Sequence, residues 1–172
     1  MSRQLGKIDK PEAKKYKAGR KLFCVPLLFA GKEAPKEYQK LYNQYWSQVK
    51  ESIEKLEQTG KVKRIYHEVI FQAGKDGLKL IQPQNKKSHQ LVKSKMNQGA
   101  SLIALEDNAL LTEYLDWGLC LSVVRSYAVA SQIQKFYLEA QKKRDDSIVK
   151  KIDETLKKGE AGLLLMKDES RV

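Results

Sequence analysis

The stretch KLFCVPLLFAGKEAPKEYQKLYNQYWSQVKESIEKLEQTGKVKRIYHEVIF, Lys21 to Phe71, decides the fold. It opens with a continuous apolar run, Lys21 to Ala30, bounded by Gly19 and Gly31. A strand-length run without alternation suits a parallel sheet covered on both faces. Pro26 costs that strand one ladder hydrogen bond, which places it at a bulge or a sheet edge. Pro35 stands where a helix begins, because the first turn has no use for its missing N–H. Beyond it Tyr38, Leu41, Tyr42, Tyr45, Trp46, Val49, Ile53 and Leu56 recur at spacings of three and four. They predict a helix over 35–59 with one buried apolar stripe, stopped at Thr59-Gly60. Lys61 to Phe71 alternates in part and reads as a second strand. Strand, long helix, strand predicts a βαβ unit with parallel strands and a right-handed crossover.

Downstream, the signals are mixed. Gly74 and Gly77 punctuate the next stretch. Ser88 to Leu105 carries Leu91, Val92, Met96 and Ile103 at helical spacing, yet Ala100–Leu105 would serve equally as a strand. Leu110, Leu111, Tyr114 and Leu115 predict a short helix after Asp107 or Asn108, closed by Gly118. Leu119–Val124 fits either helix or strand. Ser126 caps a long helix, about 126–158, with a break near Lys143–Asp146 where the apolar stripe lapses. Leu163–Met166 is a buried strand. The expected architecture is one α/β domain over 21–172, a small, largely parallel sheet flanked by long helices. A flexible basic arm, residues 1–20, precedes it, and with Val172 only six residues past Met166 a truncated C-terminus fits as well as a natural end.

Composition bounds the class. With 41% hydrophobic residues in 172, the chain can build a core, which excludes global disorder. No apolar run reaches the roughly 20 residues that span a bilayer, and Met1 to Arg20 lacks the apolar stretch of a signal peptide. Cys24 and Cys120 both lie in apolar runs, which predicts buried thiols and a cytoplasmic, reducing setting.

The net charge of +12 is concentrated in two segments. Residues 1–21 carry +6 and residues 61–98 carry +7, whereas 22–60 are neutral, 99–125 carry −3 and 126–172 carry +2. Lysines that neutralise phosphates release counterions and bind without sequence readout. Lys14, Lys15, Lys17, Arg20, Lys61, Lys63, Arg64, Lys86, Lys87, Lys93 and Lys95 are therefore the candidate contacts to RNA or a ribosome. The competing reading is a solubilising surface on a protein–protein interaction module. Lys far outnumbers Arg, which favours charge neutralisation over bidentate recognition.

Motifs for chemistry are sparse. Gly31-Lys32 follows a strand and precedes a helix, but a phosphate-binding loop needs glycine at Pro26 and Ser or Thr at Glu33. His67 and His89 have no second Cys or His at zinc spacing, so no metal site and no cofactor is expected. His67 reads as a structural residue and His89 as a helix-surface one. Glu106, Asp107, Glu113 and Asp116 form the acidic block; they suit either a metal-dependent nuclease or a capped, solvated helix. No catalytic nucleophile is visible. Tyr38, Tyr42, Tyr45 and Trp46 could stack bases, but their place on the apolar stripe predicts core packing.

Lys142 to Met166, KKRDDSIVKKIDETLKKGEAGLLLM, resembles the helix–Gly-Glu–strand passage in α/β domains of class I translation release factors and their Pelota-type relatives. The resemblance covers about a sixth of the chain and implies a ribosome- or partner-binding module. The family's Gly-Gly-Gln motif is absent, so the resemblance does not extend to peptide release.

Overall fold

In the computed structural model, residues 19–31 and 33–167 are described. The expected arm over 1–20, with Lys14, Lys15 and Lys17, lies outside them apart from Gly19 and Arg20. The chain runs β1 (Lys21–Pro26), α1 (Lys36–Leu56), a 3-10 turn (Glu57–Thr59), β2 (Val62–His67), α2 (Gly74–Gln84), α3 (Lys86–Asn97), β3 (Ser101–Leu102), α4 (Asn108–Val123), α5 (Tyr127–Thr155) and β4 (Ala161–Met166). The four strands form one parallel sheet in the order β1-β4-β2-β3. It is an α/β fold, as the βαβ signature predicted.

Burial follows from that order. β4 lies between β1 and β2 and is buried at all six positions, which explains its uninterrupted apolar sequence. Phe23, Val25, Ile65, Leu163 and Leu165 face α1, α2 and α3 on one side of the sheet. Tyr66, Leu164 and Met166 meet Ile148 and Ile152 of α5 and Leu156, just past its end, on the other. β1 is an edge strand, and Pro26 ends it, where the absent donor costs the sheet least.

Several expectations need correction. Cys24 and Cys120 are both exposed: the edge strand β1 leaves Cys24 uncovered, and Cys120 lies on the outer side of α4. The apolar stripe of α1 is buried only at Trp46 and Ile53, with Tyr42, Tyr45 and Val49 partly covered. Tyr38 and Leu41, in the first turns of α1, are exposed; the Tyr38 hydroxyl donates to the Phe29 carbonyl at 2.7 Å. Residues 74–84 form α2 despite Gly74, Gly77 and Pro83. α4 runs through Gly118 to Val123, and α5 is unbroken. The lapse in its stripe is Arg144, a charged residue that points inward.

Helix ends are set locally. Asn85 accepts from the backbone N–H groups of Lys87 and Ser88, Asp107 from Ala109 and Leu110, and Ser126 from Val129. Gly99, at φ 97°, turns the chain from α3 into β3 with the Ala100 N–H bonded to the Lys95 carbonyl.

Gly77 has a separate reason. A Cβ there would collide with the Gln72 carbonyl oxygen and stand 3.1 Å from a methyl of Ile70. Helix propensity favours Ala over Gly by about 1 kcal/mol, but overpacking against fixed backbone costs about 1–3 kcal/mol. Gly77→Ala is therefore expected to destabilise the fold, read as a lower urea midpoint at unchanged slope.

Candidate nucleic-acid interface

In open parallel sheets, ligand sites form in the crevice beyond the carboxyl ends of the strands. Here that edge is filled by the protein's own polar groups. Arg144, from α5, lies between Glu106, in the segment after β3, and Glu68, just past β2. Its Nε donates to Glu106 Oε2 at 2.9 Å and its Nη2 to Glu106 Oε1 and to Glu68 Oε1, the latter at 3.2 Å. Backbone donors complete the set: Val69 N–H to Glu106 Oε1 at 3.0 Å, and Lys167 N–H to Glu68 Oε2 at 2.7 Å. All four carboxylate oxygens have a donor. The guanidinium also lies 5.0 Å from the centre of the Tyr114 ring. Burial opposes the Arg144 charge, but the hydrogen bonds and charge of Glu106, then those of Glu68, outweigh it and raise the pKa above its ordinary value.

Two further features belong to this edge. Val69 has φ 68°, a conformation that a β-branched residue adopts only under constraint, and its N–H is held by Glu106. His67 is buried, with Nδ1 2.8 Å from the Glu68 carbonyl and Nε2 3.0 Å from Ser88 Oγ. Burial lowers its pKa below the usual histidine value, although the Glu68 carbonyl works against the shift. Asn85 closes the crevice by donating to the Leu28 carbonyl at 2.8 Å.

Three of the four acidic residues have structural roles, and the fourth, Asp116, is exposed on α4. Glu106 is in the buried cluster, Asp107 caps α4, and Glu113 is 3.7 Å from Lys143. Among the described residues, no three His, Cys, Asp or Glu side chains are grouped to hold a metal ion.

The basic candidates divide. Lys86 and Lys93 are exposed on α3, and Lys87 is half-exposed beside them. Lys61 and Lys63 are exposed at the start of β2. Arg64 pairs with Glu160 through two contacts at 3.3 Å, and Arg20 with Asp153 at 2.8 Å. Lys95 is corrected outright: it is buried, with Nζ 2.6 Å from Glu57 Oε2, so it fastens α3 to the turn after α1. From Gly77 to Leu105 the sequence contains no acidic residue. α3 therefore presents its lysines without acidic neighbours of its own.

Beside them runs a groove of ≈ 360 Å³ between α1 and α3. Lys50 and Lys87 flank it, the Glu54 carboxylate also lines it, Asn43, Gln90 and Ser94 supply amides and a hydroxyl, and Trp46 forms part of its wall. Composition flagged the lysines; only the packing of α1 against the same side of the sheet as α3 brings Lys50 to them. No family model, no curated protein and no solved structure matches this chain.

Arg144→Met leaves Glu68 and Glu106 buried without their cation. A loss of about 3–5 kcal/mol in urea unfolding is expected. For His67 the folded-state pKa lies below the unfolded value, so the unfolded chain binds more protons as the pH falls past about 6.5. Stability is expected to decline from pH 7.5 to 5.5. His67→Gln should flatten that decline, measured by urea midpoints across the range.

Proposed function

We infer that the protein is a non-enzymatic RNA-binding module whose α1/α3 face holds the phosphate backbone. The observation that supports this is the placement of Lys86, Lys87 and Lys93 on α3, free of acidic neighbours in sequence, beside a polar groove to which α1 adds Lys50 and one carboxylate, Glu54. Lysines as mobile point charges suit phosphates. The amides of Asn43 and Gln90 and the Ser94 hydroxyl offer hydrogen bonds to ribose 2′-hydroxyls. The floor holds no exposed ring on which a base could stack, so the reading is one of backbone shape rather than sequence. A cytoplasmic RNA or the ribosome is the intended target, in keeping with the release-factor-like passage at Lys142–Met166.

A second reading, a protein–protein interaction module, is favoured by one specific observation. The far half of the α4–α5 hairpin leaves large apolar side chains uncovered. The two surfaces are separate, and each can be tested without the other.

Four lysines contacting a single strand give a slope of about −3 in log affinity against log salt. Fluorescence anisotropy with a labelled RNA should therefore show roughly 60-fold weaker binding at 200 mM than at 50 mM salt. Replacing Lys86, Lys87 and Lys93 together by Gln should reduce the slope by about 2 without changing the unfolding midpoint. Absence of binding at 50 mM salt would overturn the reading.

A further inference from the structure

We propose that the α4–α5 hairpin is a self-association surface, on which a second copy of this chain docks to form a four-helix bundle. The hairpin's seam is built from Tyr114 and Tyr137, whose hydroxyls lie 2.7 Å apart, and one flank from the stacked rings of Trp117 and Phe136. Two residues along a helix turn the side chain by about 200°. Leu115, two before Trp117, and Leu138, two after Phe136, therefore lie on the opposite flank.

Leu119 and Val123 continue the Leu115 row at four-residue steps. Tyr127, eleven residues before Leu138, returns to the same side of α5. These five side chains are 51% to 89% exposed, and they are large. Together they expose on the order of 600 Å² of side chain, most of the roughly 800 Å² that each partner contributes to a standard interface.

Charge decides the occupant. From Trp117 to Gln134, eighteen residues, the only charged side chain is Arg125, in a chain that is 31% charged. A chain of net charge +12 repels its own copies over most of its surface, and the far half of the hairpin is where that repulsion is least. A symmetric dimer needs a patch that tolerates itself, and a neutral apolar row meets that need. A lipid surface fits less well, because helices that lie on membranes surround their apolar side with Lys and Arg. A charged protein partner would find nothing to pair with. Two such hairpins packed through the Leu115, Leu119 and Val123 rows give the apolar seam of a helical bundle.

This inference does not rest on RNA binding and is tested without RNA. The full chain is examined by sedimentation velocity from 1 to about 200 μM, at 500 mM salt to suppress charge repulsion. The expected result is a concentration-dependent dimer. Leu119→Glu, at a side chain 65% exposed in the monomer, should return the protein to a monomer with an unchanged circular dichroism spectrum. Leu119→Met, which keeps the apolar contact, should preserve the dimer within about threefold in affinity.

A chain that stays monomeric throughout overturns the proposal, as does a dimer indifferent to Leu119→Glu. A monomer that floats with phosphatidylserine-containing vesicles, and loses them on Leu119→Glu, assigns the face to a membrane and overturns it too.

Discussion

The guanidinium of Arg144 is the constraint on which the sheet's carboxyl edge depends. It is a charge taken out of water, and such a charge is tolerable only when its partners are close and themselves satisfied. Glu106 and Glu68 supply two negative charges against its one; the Lys167 N–H takes the one oxygen left over, Glu68 Oε2, and the Val69 N–H shares Glu106 Oε1 with the guanidinium. The segments following β2, β3 and β4 are thereby tied to α5. The left-handed Val69, a conformation costing about 1–3 kcal/mol, persists because Glu106 holds its N–H. Removing the cation costs more than removing the whole cluster would, since the expense lies in unpaired buried carboxylates.

That same interaction bears on where recognition can occur. An open parallel sheet usually offers its ligand a crevice past the ends of its strands. In this protein the crevice is filled by Arg144 and its carboxylates on one side and by His67, Ser88 and Asn85 on the other. Each of these groups already has a protein partner, so a ligand entering there would have to displace hydrogen bonds without adding any. The surfaces left with unspent interactions lie outside the crevice. One is the lysine-bearing α1/α3 face, the other the uncovered flank of the hairpin. The polar groups of the crevice serve the fold.

How much of this was legible in the sequence depended on whether one residue type carried one meaning. β1, α1, β2 and β4 were legible because continuous apolar runs and a regular stripe have few alternative explanations. α2 was not, because Gly74 and Gly77 read as breaks, whereas Gly77 is needed for the close approach of the Gln72 carbonyl. The continuity of α5 was hidden by Arg144: a charge on the buried side looks the same in sequence as a gap in the stripe. Glu106 was visible only as one of four acids in a block. Its partners come from residues 38 and 37 positions away, and no local pattern encodes that.

The basic surface shows the same limit. Lys93 and Lys95 are two residues apart on one helix and identical in type, so composition treats them alike. Two residues is more than half a helical turn, and the rotation sends Lys93 to solvent and Lys95 against Glu57. Net charge therefore overstates what α3 can offer a phosphate, and the groove does not make up the difference, because α1 brings Glu54 to it along with Lys50. The cysteines erred in the other direction. An apolar neighbourhood in sequence implies burial only if another layer covers it, and neither edge strand β1 at Cys24 nor the outer side of α4 at Cys120 has that cover. The same holds for Leu115, Leu119 and Val123 beside Cys120: their apolar character in sequence does not say which way they face, and the packed fold leaves them exposed.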